Sequence, residues 1–194
     1  VTIPSDGRAV WAPVDAVETK ATAKLVAAPK LVDRVYQVVA LNTPTAYPLL
    51  EGRIRSYRSG SFVGESQLRY RGVGEPFEVS LGIDDELKVE RKVLGELNRQ
   101  SGFLSSTARI EQAYRTVLAN RARGAETVEL RESIPVSKVE DVKVDLDRKR
   151  TTPGFNLDAG RGFLTWQVRL DPAQEKSVDI AYVIRLPDDW VAPR

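Results

Sequence analysis

Three consecutive carboxylates, Asp84, Asp85 and Glu86, follow Gly82 and form the densest acidic cluster in the chain. Hard cations take oxygen ligands, so such a cluster is a candidate Ca²⁺ site. The competing reading is a β-turn whose Asp side chains satisfy backbone donors, and it is favoured because the spacing does not fit an EF-hand loop. Carboxylates also make the simplest hydrolase without histidine, one acting as acid and the other as base or nucleophile across a glycosidic bond. Glu65, Asp84 and Asp158 are the candidates, although 27 acidic residues make a chance pair expected. The third constellation is basic and aromatic. Arg53, Arg55 and Tyr57 alternate along one segment, and Arg69 and Arg71 along the next. If these segments pair, they make a face able to hold sugars or peptides by stacking and bidentate contacts. The favoured reading is a solvated sheet face, since antiparallel sheets commonly leave one face wet.

What the chain lacks narrows the chemistry further. Its 194 residues contain no His and no Cys. That excludes Ser-His-Asp and Cys-His catalysis and the usual nitrogen and sulfur zinc sites. Gly60, Gly64, Gly72 and Gly74 lack the following helix that a phosphate-binding loop needs, so they read as turns and bulges. No catalytic residue is assigned and no cofactor is expected. The 29 basic and 27 acidic residues are interspersed, which gives no reason to expect nucleic acid. The longest apolar runs fall short of a membrane span. The chain opens Val1-Thr2-Ile3-Pro4 and holds no Met, as expected of a processed or excised piece.

The elements that would position these residues are strands. Leu164, Trp166, Val168 and Leu170 alternate with polar residues, and Val178, Ile180, Tyr182, Ile184 and Leu186 repeat the pattern after Asp171-Pro172-Ala173-Gln174. This predicts a hairpin with Trp166 in the core. Further strands are predicted over 35–42, 50–58, 62–71, 76–81, 87–93, 128–131 and 142–146. The best helical spacing lies over 91–99, where Gly95 interrupts it. The loop 148–154 is basic and exposed by composition. Short strands at this spacing predict an all-β, antiparallel immunoglobulin-like β-sandwich.

Two tandem sandwiches, 1–104 and 105–194, are expected from three features. Tyr36 to Asn42 is echoed by Tyr114 to Asn120, an acidic turn enters a strand late in each half, and Ser and Gly cluster near 100–108. The competing reading is chance similarity between half-buried strands, with halves too small to fold alone.

The strands also carry a family pattern. Tyr47-Pro48-Leu49-Leu50-Glu51-Gly52, Gly60-Ser61-Phe62-Val63-Gly64-Glu65-Ser66, Leu81-Gly82-Ile83-Asp84-Asp85 and Gly102-Phe103-Leu104 are followed by Ile134-Pro135-Val136-Ser137, Gly162-Phe163-Leu164-Thr165-Trp166 and Tyr182-Val183-Ile184-Arg185-Leu186-Pro187. In this order they resemble the C-terminal domain of mucoidy inhibitor A-like proteins, a domain of unknown function. The resemblance implies a place in a larger, exported bacterial protein of the periplasm or cell envelope, and no catalytic residues. The expected role is a non-catalytic interaction or structural module whose partner is protein or envelope glycan. The alternatives are a carbohydrate- or peptide-binding module using the Arg/Tyr face, and last a carboxylate-dependent hydrolase.

Overall fold

Alternation commits each strand to burying one face, and the fold follows from which strands bury theirs together. A computed structural model describes residues 7, 12–95, 100–101, 107–187 and 190. Among them the strands run β1 (Thr22–Ala27), β2 (Val35–Asn42), β3 (Gly52–Arg58), β4 (Ser61–Leu68), β5 (Pro76–Ile83), β6 (Leu87–Gly95) and β7 (Gln100–Ser101). There follow β8 (Thr107–Asn120), β9 (Glu126–Ser133), β10 (Lys143–Leu146), β11 (Asn156–Asp158), β12 (Phe163–Leu170) and β13 (Glu175–Pro187). One sheet has the order β11-β12-β9-β1-β2-β5, and the facing sheet β10-β13-β8-β6 with β7 also on β8. The pair β3-β4 stands apart. The chain is therefore an all-β sandwich. Its ladders are antiparallel except β1 on β9, which is parallel.

The core lies between the sheets. Ala27, Val35, Val128, Leu130, Leu164, Trp166, Val168 and Leu170 from one meet Leu87, Val89, Leu118, Val178 and Ile180 from the other. Trp166 is 3% exposed, as its parity predicts. It packs on Phe155 with ring centroids 5.5 Å apart, and its Nε1 donates to the Thr152 carbonyl at 3.0 Å.

Two organisational expectations are corrected. The segments around Leu164–Leu170 and Val178–Leu186 are not a hairpin, because β12 and β13 lie in opposite sheets. Alternation says that a strand buries one face but not from which side of the core, so a hairpin and a crossing between sheets look alike. Asn120, 1% exposed, braces this crossing: its Nδ2 donates to the carbonyls of Gly124, Leu170 and Asp171. Nor do 1–104 and 105–194 have separate cores. The β1–β9 and β6–β8 ladders both cross that boundary, and Ala27, Val35, Leu87 and Val89 pack into the cluster formed by later strands. The echo between 36–42 and 114–120 joins strands of different sheets, with Asn42 exposed and Asn120 buried. Residues 102–106 of the expected linker lie outside the described residues.

Smaller departures have local causes. Residues 91–95 of the helical candidate continue β6, paired with β8, and 96–99 lie outside the described residues. β1, β7 and β11 are not predicted; the first is half alanine and threonine, β7 has two residues and lies in the expected linker, and β11 has three. The loop 148–154 is pinned across β13, since Thr151 is buried and its hydroxyl accepts from Ala181 N, while Thr152 Oγ1 accepts from Asp179 N.

Candidate functional site

The β3–β4 hairpin is closed by Ser59 and Gly60, with φ of 48° and 80°. Positive φ at both central residues is the two-residue turn whose twist matches that of the strands. The hairpin approaches β5 at Gly82, where an added Cβ would lie 3.1 Å from the Val63 Cβ. β3 and β4 do pair, with Arg53 opposite Gln67, Arg55 opposite Glu65 and Tyr57 opposite Phe62. Arg53, Arg55 and Tyr57 are all exposed. Tyr57 and Phe62 meet edge to face at 5.6 Å, and each keeps more than half of its surface in solvent, 56% and 57%.

The five residues do not form the one basic patch that pairing of the two rows would have made. Glu65 lies between Arg53 and Arg55, at 3.6 and 3.2 Å, and offsets part of their charge. Arg69 and Arg71 instead line a cleft of about 420 Å³ between the hairpin and β5, floored in part by Val38, Ile54, Leu68 and Phe77. Arg71 Nη1 donates to Glu75 Oε1 at 2.7 Å, and Glu75 Oε2 accepts from Gly72 N at 2.8 Å. These two bonds hold the Glu75 carboxyl below its usual range, the Gly72 contact contributing most.

Asp84 and Asp158 do not converge. Asp84 Oδ1 accepts from Glu86 N at 3.0 Å, so its carboxylate closes its own turn. Among the described residues no group of three or more His, Cys, Asp or Glu could hold a metal ion. Asp158 ends the edge strand β11, and Asp84 follows β5 at the opposite edge of the same sheet. Five interstrand steps of about 4.8 Å put those edges roughly 24 Å apart, far beyond the ~5–10 Å a glycosidase pair needs. Glu65 is committed to Arg53 and Arg55.

Two polar clusters escaped sequence reasoning. On the outer face of the six-stranded sheet, Arg131 makes a bidentate contact with Glu78 at 2.7 and 2.9 Å, and Lys24 reaches Glu78 at 2.8 Å and Glu129 at 3.1 Å. The Arg131 bonds come first among the causes that hold the Glu78 carboxyl at about 2, with Lys24 adding to them against partial burial. Between the sheets, Glu132 is 3% exposed. Its Oε1 accepts from Arg91 Nε at 2.9 Å and Thr116 Oγ1 at 3.1 Å, and Oε2 has no hydrogen-bond partner. The Arg91 guanidinium lies 3.6 Å from the Tyr114 ring centroid, and Tyr114 stacks on Tyr182 at 6.4 Å. Burial, then Tyr114, pushes the Tyr182 phenol up to about 12. The parity of Val128, Leu130 and Glu132 was a legible sign of an inward charge. Its partner, 41 residues away, was not.

Comparison with known proteins adds two findings. A family described as Domain of unknown function (DUF4139) matches residues 1–188. Among curated proteins, the chain is similar to Protein F37C4.5 of Caenorhabditis elegans, 25% identical over 151 residues that cover 73% of this chain and 27% of that protein. The chain thus spans about a quarter of the length of the curated relative it matches.

Proposed function

The chain belongs to the family Domain of unknown function (DUF4139), and on that premise we propose that it is a non-catalytic interaction module of a larger protein, with the outer face of the β3–β4 hairpin as its contact surface. The observation that carries this reading is the exposed Tyr57–Phe62 pair on a hairpin that belongs to neither main sheet. Aromatic side chains with one wet face are enriched where partners dock, because they bury large areas at small entropic cost. Arg53 and Arg55 stand beside the pair, oriented by Glu65, with guanidinium donors left for a partner. Resemblance to mucoidy inhibitor A-like proteins supports a cell-envelope setting, with protein or envelope glycan as partner.

A carbohydrate partner is the second reading, favoured by the same exposed rings, since sugars stack on aromatic faces. The test presents the wild-type domain and the Tyr57→Ala/Phe62→Ala variant to a glycan array and a displayed-peptide panel. A ligand bound by the wild type and at least about tenfold weaker with the variant is expected, with the folded circular dichroism spectrum unchanged. Equal binding by both proteins would move the contact surface elsewhere.

A further inference from the structure

We propose that the cleft between the β3–β4 hairpin and β5 binds a carboxylate of an extended peptide segment, gripped by Arg69 and Arg71, with a neighbouring apolar side chain on the cleft floor. The proposal rests on the interaction-module reading but uses residues other than the Tyr57–Phe62 pair.

The two guanidinium groups of the cleft hold donors that lack acceptors. Arg71 is fixed through its backbone, which exchanges two hydrogen bonds of 2.9 Å with Leu49, and through Glu75, which takes Nη1. Its Nε is buried and has no hydrogen-bond partner. A buried donor left unpaired is costly, and an incoming oxygen removes that cost. Arg69, exposed on the same cleft, has no ion pair among the described residues. The carboxylate that lines the cleft, Glu78, is occupied by Arg131 and Lys24 on its outer side. A site with forked donors and an occupied acceptor selects an acceptor-only group, and a carboxylate fits the guanidinium fork.

The floor decides what carries that carboxylate. Val38, Ile54 and Leu68 are aliphatic, and Phe77 is the aromatic among them. This lining suits a peptide side chain better than a sugar ring, which takes a flat exposed aromatic. The wall also favours extended backbone, because β5 is the outermost strand of its sheet and offers an edge without a ladder partner among the described residues. A peptide laid along such an edge gains main-chain hydrogen bonds and places alternate side chains toward the cleft.

The test is a titration of the full ¹⁵N-labelled chain followed by amide NMR. The probes are N-acetyl-leucine, its amide N-acetyl-leucinamide, and glucuronate, each to millimolar concentration. N-acetyl-leucine should shift amides in 66–71 and 77–80, with the uncharged amide at least about tenfold weaker. Arg69→Gln, an exposed substitution that leaves the fold intact, should weaken N-acetyl-leucine about tenfold. Arg71→Lys, which keeps the charge and loses the fork, should weaken it as well. Equal response to acid and amide, tighter binding of glucuronate, shifts confined to 53–62, or no shifts at all would each overturn the proposal. Tyr57→Ala/Phe62→Ala should leave this titration unchanged, so failure in the cleft and failure on the hairpin face read out separately.

Discussion

Removing either partner of the Arg91–Glu132 pair should destabilise the fold, and by unequal amounts. The Glu132 side chain is 1% exposed and that of Arg91 is 16% exposed. In Arg91→Ala the carboxylate keeps only the Thr116 hydroxyl, with one oxygen already unpartnered. An uncompensated buried charge of this kind costs about 3–5 kcal/mol. In Glu132→Ala the guanidinium keeps the Tyr114 ring at 3.6 Å and some contact with water. Its loss should be about 1–3 kcal/mol, including the orphaned Thr116 hydroxyl. Arg91→Met/Glu132→Leu removes both charges and fills the space, so it should fall within about 1 kcal/mol of the wild type or exceed it. Urea unfolding followed by circular dichroism and fluorescence measures all four proteins, provided the two transitions coincide and the slopes agree. If Arg91→Ala costs less than about 1 kcal/mol, or less than Glu132→Ala, the electrostatic account of this cluster is wrong.

Four other expectations follow. Trp166→Ala should cost about 3–5 kcal/mol in the same assay, and Trp166→Phe less, because a six-membered ring still fills most of the space although the pyrrole part and its bond to Thr152 are lost. Acid titration should show Glu78 at work. Its carboxyl is lowered from 4.5 to about 2, so its contribution is complete above about pH 5 and is lost as the pH falls toward 2. Because its side chain is 36% exposed, screening limits the effect to about 1–2 kcal/mol, and Glu78→Gln should flatten that part of the stability profile. Gly162→Ala should cost about 2–4 kcal/mol, since φ is +70° and the new Cβ would lie 2.4 Å from the Ile134 carbonyl oxygen; a loss below about 0.5 kcal/mol would contradict that contact. Expressed separately, 1–104 and 105–194 should fail to show cooperative melts, and two cooperative transitions would refute the shared core.

Strand by strand, the chain's own pattern determined a great deal. β2 was expected over 35–42 and forms over Val35–Asn42, and the parity that buries Leu164, Trp166, Val168 and Leu170 was readable directly. A period of two reports a local property, the face of each strand that avoids water. The pairing of β3 with β4, which the alternating rows left open, is set locally by a two-residue turn with glycine. Only the tertiary structure decided which sheet each strand joined. The turn at 171–174 crosses between layers instead of folding back within one, and β1 reaches β9, about a hundred residues later, in parallel. Likewise Arg71 looked like a member of one exposed row and is instead held over a cleft by Glu75, while Glu132 finds Arg91 across the core. Such contacts are set by packing between distant segments, whose geometry no local periodicity encodes.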